Sequence, residues 1–166
     1  MEIDVKPICP EHIEGFHRCL DIVAEETGFL AGSSAPEIES TTTFVLNNIK
    51  GNKLQFVATP KNSSNVIGWI DILDRGDESL KNEGVLGMGV LPIFHGNGIG
   101  KALMKVAIET AKERGMKRIC LEVFEDNSVA IALYKKFAFH EVGRGKLEKT
   151  EAGEERKSLF MELVLR

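Results

Sequence analysis

The chain has 166 residues, 43% of them apolar, and a formal charge of −4; this fits one domain over 1–166 and disfavours nucleic acid, whose phosphates need a basic face. No apolar run approaches the ~20 residues of a membrane helix, and the acidic stretch Met1-Glu2-Ile3-Asp4 lacks the basic and apolar regions expected of a secretion signal. Three scattered cysteines (Cys9, Cys19, Cys120) without a C-x-x-C pair read as reduced thiols, so the expected compartment is the cytoplasm.

Ile3, Val5 and Ile8 alternate as a first strand, and Pro10 then suits a helix's first turn. Ile13, Phe16, Leu20 and Val23 recur at helical spacing. Ser34-Ala35-Pro36-Glu37 has capping-box spacing and predicts a second helix with Ile38, Val45, Leu46 and Ile49 on its apolar side. Residues 53–59 and 66–73 read as strands around the polar turn 60–65, and 74–82 as a charged loop. An apolar run from Val85 to Val90 stops at Pro92, three glycines follow, and an amphipathic helix runs to Arg114 with Gly115 as its C′ residue. Ile119 to Phe124 is a strand, the segment through Tyr134 and Phe137 a helix, and strands near 140–148 and 156–165 finish the chain around a turn at Gly153.

Gly96, Gly98 and Gly100 stand between a strand and a helix start. Without Cβ atoms such a loop lets backbone N–H groups approach an anion, and the helix N-terminus favours negative charge there. A Walker loop fails on spacing, since His95 holds its first glycine's place and Ala102 its metal-binding hydroxyl's place. A dinucleotide fingerprint fails too, because Lys101 stands where its third glycine belongs. A second group lies about thirty residues on: Asn127, Ala130, Tyr134 and Phe139 follow the strand, with Ala138 before the phenylalanine.

His95-Gly96-Asn97-Gly98-Ile99-Gly100 resembles the pyrophosphate loop of the GNAT superfamily of acyl-CoA N-acetyltransferases, with His95 in place of the usual Arg or Gln. The Asn127–Phe139 pattern is similar to that superfamily's later motif, with Ala138 in place of Gly. The resemblance covers roughly 83–140 and implies a mixed α/β GNAT fold: a mostly antiparallel sheet of about seven strands, splayed at the acetyl-CoA site and flanked by about four helices. It implies acetyl-CoA as cosubstrate, no metal, and pyrophosphate held by Gly96, Asn97, Gly98, Ile99, Gly100 and Lys101, with His95 beside them. Met88 and Val90 would offer main-chain groups to the pantetheine arm and thioester, with Asn127 and Ala130 nearby and Tyr134 as the acid for the departing thiolate.

The ammonium proton is expected to leave to a carboxylate near the central strands, with Glu83, Glu122 and Asp71 as candidates, or to bulk solvent. Glu25, Glu26 and Phe29, between the first two helices, are expected to meet the acceptor, and Trp69 is either packing or an acceptor contact. Tyr134 also reads as a core aromatic and Asn127 as an N-cap. His12, His17 and His140 show no ligand spacing and read as surface or half-buried residues. The expected reaction is acetyl transfer to a primary amine of small-molecule or amino-acid type. Transfer to protein N-termini or lysines, and a silent acyl-CoA-binding module, are the alternatives. A homodimer through C-terminal strands is a family habit that no residue here requires.

Overall fold

The computed structural model describes residues 1–28, 30, 32 and 34–166. Its elements follow the expected order: β1 (Ile3–Pro7), α1 (Ile13–Thr27), α2 (Ile38–Lys50), β2 (Leu54–Pro60), β3 (Gly68–Asp74) and β4 (Glu83–Val90). Then come α3 (Ile99–Glu113), β5 (Arg118–Phe124), α4 (Ser128–Lys136), β6 (His140–Arg144), the two-residue strands β7 (Glu148–Lys149) and β8 (Glu155–Arg156), and β9 (Ser158–Val164). Seven strands form one sheet in the order β1-β2-β3-β4-β5-β9-β6, while β7 and β8 make a separate hairpin. All neighbours in the large sheet are antiparallel except β4 and β5.

Side-chain alternation along the strands divides the interior in two. On one face Leu54, Phe56, Ile70, Ile72 and Leu86 pack with Leu103, Met104 and Ala107 of α3 and with Tyr134 of α4. On the other, Val57 and Trp69 pack with Phe16, Cys19 and Val23 of α1 and Val45 of α2. Among the described residues no helix is long and apolar enough to cross a membrane, and all three cysteines are free thiols.

Two expectations need correction. The Ser34–Glu37 capping box does not form: α2 starts after Glu37, whose side chain makes no cap hydrogen bond. Of the four residues expected on that helix's inner side only Val45 is buried, and Ile38, Leu46 and Ile49 are exposed. The helix instead turns in Thr41, Val45 and Asn48, because Asn48 donates from Nδ2 to Gln55 Oε1 at 3.0 Å on β2. His12 is buried rather than superficial, at 1% exposure. It lies in the short 3-10 turn Pro10–His12, where its Nδ1 accepts the Cys9 N–H at 3.1 Å. This capping pair brings Cys9, Glu11 and His12 together as a by-product of ending β1.

Candidate active site

The site begins where the sheet comes apart. β4 and β5 pair only at Glu83–Arg118, Gly84–Ile119 and Val85–Cys120. Beyond that point β4 stays tied to β3 as far as Val90–Gly68, and β5 stays tied to β9 as far as Phe124–Ser158. Each strand is held on its outer side, so the weaker parallel pairing between them yields and a wedge-shaped seam opens. The Leu91 N–H bonds Ile67 O at 2.9 Å, which sets the phase of the β3–β4 ladder. Odd-numbered residues of β4 therefore turn their main-chain groups to β3, and Met88 and Val90 turn theirs to the seam.

Immediately after β4, Pro92–Phe94 forms a 3-10 turn and the chain enters the glycine loop. Gly96 and Gly98 adopt φ of +80° and +76°, values that an L-residue with a Cβ reaches only at a cost. A Cβ on either would meet nothing within 4 Å, so the loop's outer side is open. Helix α3 begins at Ile99, with Gly98 as N-cap and no side-chain cap. The N–H groups of residues 96 to 101 have no backbone acceptor among the described residues, the first main-chain bond of the helix being Ala102 N–H to Gly98 O. A row of free donors on a helix N-terminus, with exposed Lys101 in its first turn, is built to take an anion.

His95 does not reach outward from this loop. Its Nε2 lies 2.8 Å from the Val90 carbonyl oxygen, so Nε2 carries the proton and donates, and the ring turns back onto the strand. That bond occupies the Val90 carbonyl and leaves the Val90 N–H to face the seam. Asn97 is likewise turned inward, donating from Nδ2 to Phe94 O at 2.9 Å. The contribution of His95 and Asn97 is thus to shape the loop, and its open donors are main-chain ones.

Helix α4 borders the seam from the side of β5. Asn127 is its N-cap, with Oδ1 accepting the Ala130 N–H at 3.3 Å; its Nδ2 is left over as a donor. Tyr134 is 7% exposed, and its ring meets that of Phe139 at 5.9 Å. The helix ends with the Phe139 N–H bonded to Tyr134 O and the Ala138 N–H bonded to Lys135 O, the two bonds of a Schellman ending. Ala138 takes the left-handed position at φ +69°. This cap folds Phe139 back onto Tyr134 and fixes the tyrosine's ring. Burial pushes the Tyr134 phenol up to about 12, so it is a neutral donor at any physiological pH, and its hydroxyl has no hydrogen-bond partner among the described residues. Gly100 lets α3 close on α4, since a Cβ there would lie 3.1 Å from Leu133 Cδ2.

The face of the sheet towards α1 carries the remaining candidates. Trp69 is 4% exposed, edge-on to Phe16 at 5.7 Å and flat over Gly89, where a Cβ would come within 2.3 Å of its ring. It is a wall of this side and offers little open surface. Glu122 is exposed on β5. It helps line a cavity of about 340 Å³ with Phe124, Ser158 and the β7 residues Glu148 and Lys149. Glu83 sits at the paired end of β4, held by Arg118 at 3.3 Å; seven residues of strand, roughly 23 Å, separate it from Val90. The structure does not bring Glu83 to the seam's open end. Glu25 and Glu26 are exposed at the end of α1, and Phe29 lies outside the described residues.

Arg156 was not legible as a site residue, yet it ties this region together. Its guanidinium donates to Gly28 O at 2.8 Å and to Glu154 at 2.8 Å. It also lies 3.7 Å from Asp126 and 5.3 Å from the Phe124 ring centroid. The β7–β8 hairpin is thereby fastened to the end of α1 and the tip of β5.

Comparison with known proteins agrees with this geometry. The chain is 35% identical over 98 residues to an uncharacterised N-acetyltransferase of Methanocaldococcus jannaschii, covering 59% of this chain and 39% of that protein. It is 38% identical over 72 residues to the mycothiol acetyltransferase of Salinispora tropica, covering 43% of this chain and 23% of the relative. The chain thus spans less than half the length of these curated relatives. The crystal structure of the ribosomal-protein-alanine N-acetyltransferase from Brucella melitensis superposes with a TM-score of 0.89 at 21% identity, over 98% of this chain and 99% of that one. Residues 17–139 match the model of the acetyltransferase (GNAT) family, and with that match, the seam and the glycine loop all in place, the chain belongs to this family.

Proposed function

We propose that the chain transfers the acetyl group of acetyl-CoA directly to a primary amine of small-molecule or amino-acid type. The observation that carries this reading is the pair of free main-chain donor sets, Met88 and Val90 along the seam and residues 96–101 in the loop that follows. A diphosphate fits the loop, where six N–H groups lack a backbone acceptor among the described residues and Lys101 is exposed, and an extended amide-bearing arm fits the seam, which lacks one strand's worth of partners. The Val90 N–H is the donor for the thioester oxygen, and one preorganised donor of this kind is worth about 3 kcal/mol of barrier.

Tyr134 is the donor to the departing sulfur. Full transfer from a phenol at about 12 to a thiolate of ordinary pKa ~8.5 is uphill by roughly 5 kcal/mol. Tyr134 therefore acts by hydrogen-bonding the sulfur as charge develops, and the proton the thiol keeps comes from the attacking nitrogen. Glu122 borders the seam on β5 and Asp71 lies one strand away on β3, opposite Gly87, whereas Glu83 is engaged with Arg118 far from Val90.

The acceptor is sought with a panel of ethylamine, putrescine, glycinamide and a peptide beginning with alanine, following free thiol in the presence of acetyl-CoA. Amine-dependent thiol release with at least one small amine is expected. Turnover confined to the peptide would move the acceptor to protein N-termini, and tight acetyl-CoA binding with no turnover would leave a binding module.

A further inference from the structure

Asp71 stands at the centre of β3, in register with Gln55 of β2 and Gly87 of β4. It shares the α1 face with Trp69, two residues away. Its Oδ1 lies 3.2 Å from where a Cβ on Gly87 would be. The missing side chain at Gly87 is what lets the carboxylate lean across β4, two residues past Val85, where the pairing with β5 ends. Glu122 lies on the same face across the seam, two residues past Cys120, but in the open.

The surroundings leave Asp71 alone. Gln55 accepts from Asn48 of α2 with its Oε1, and its buried Nε2 makes no hydrogen bond among the described residues, to Asp71 included. From β4, Val85 and Gly89 flank it, and Glu83 further along is held by Arg118. From β5, Cys120 and Glu122 face it across the seam. α1 turns the buried thiol of Cys19 inward, while its His17 and Asp21 are engaged with Pro36 O and the Ala35 N–H. Lys53, just before β2, pairs with Asp74 at the end of β3. Asp71 itself has no hydrogen bond or ion pair among the described residues.

A half-buried carboxylate without a donor is costly to keep, and nothing in the packing of β3 needs one. We propose that Asp71 accepts the proton that the acceptor's ammonium must lose before it attacks, directly or through one water. This deepens the acetyl-transfer reading and rests on it. The ammonium gives its first proton to the Asp71 carboxylate, and the freed nitrogen bonds the acetyl carbon. The carbon–sulfur bond breaks with its electron pair going to sulfur, the nitrogen's second proton goes to that sulfur, and Asp71 then returns its proton to solvent. Burial alone, with no charged neighbour contributing, raises the Asp71 carboxyl to about 7, where a general base near neutral pH is most effective.

The test is the pH dependence of kcat/KM, with acetyl-CoA and whichever panel amine the native protein turns over fastest. The native protein should lose about tenfold per pH unit below pH ~7. Asp71→Asn should lose about 10²-fold in kcat and the acid limb with it, with unchanged acetyl-CoA affinity by calorimetry, and Asp71→Glu should restore part of the limb. A carbon-13 titration of the aspartate carboxyls, free of any substrate, should show one resonance with a near-neutral midpoint that is absent from Asp71→Asn. The inference is overturned if Asp71→Asn keeps both rate and limb, if the limb moves with Glu122→Gln instead, or if no such resonance exists. Absence of native turnover with every amine would fall on the acetyl-transfer reading, and the titration would still report on Asp71.

Discussion

Replacing Asp71 by asparagine should make the protein more stable, and the gain should grow with pH. In the folded chain, burial raises this carboxyl from the ordinary 3.8 to about 7. Below pH ~4 the side chain is neutral in both folded and unfolded states and contributes no difference. Between ~4 and ~7 the unfolded chain ionises first, so folding stability falls as pH rises. Above ~7 both states are ionised and the full penalty stands, at about 1.4 kcal/mol per pH unit of difference, or roughly 4 kcal/mol. Asparagine has a similar shape and no charge to bury, so the advantage of Asp71→Asn should widen by about 2.5 kcal/mol between pH 5 and pH 8.5. Urea unfolding of both proteins across that range measures it, because all other titrating groups cancel in the difference. A stability difference that does not change with pH would refute the reasoning, since it would mean that the carboxylate ionises in the folded chain as easily as in water.

Ala138→Gly should stabilise the chain by about 1 kcal/mol, read as a higher urea midpoint at unchanged slope, because a Cβ at φ +69° strains the cap of α4. Tyr134→Phe should lower kcat by about 10²-fold with unchanged acetyl-CoA affinity and little change in stability, since its hydroxyl has no partner to lose among the described residues; equal turnover would remove it from the reaction. Gly98→Val should weaken acetyl-CoA binding by at least tenfold in calorimetry of protein whose circular dichroism is native, because it forces a β-branched residue into φ +76° beside the open donors. Unchanged affinity would place the diphosphate elsewhere.

Local chemistry was legible in the residues and long-range geometry was not. The glycine loop, the start and end of α3, and the helix carrying Tyr134 follow from short-range signals, and they stand where those signals put them. The inward face of α2 was not legible, because the choice of Thr41 and Asn48 over Ile38 and Ile49 depends on a partner, Gln55, on a strand still to come. The seam depends on where two parallel strands stop pairing, which neither strand encodes by itself. The same holds for the candidate bases. Periodicity puts Glu83, Glu122 and Asp71 on strands alike. Only the register separates them, by giving Glu83 an arginine, Glu122 the solvent and Asp71 a glycine across from it.

The half-open sheet has a consequence for how the molecule holds together. Its two leaves, β1 to β4 and β5 with β9 and β6, are hinged at three residue pairs, and the rungs missing above that hinge are ones a guest can supply. An occupant that bonds both margins would act as a temporary strand, so amide exchange at Met88 and Val90 should slow as it binds and the leaves should melt together at a higher temperature. Firmness at the middle of this sheet is then set by how much of the guest the surroundings provide.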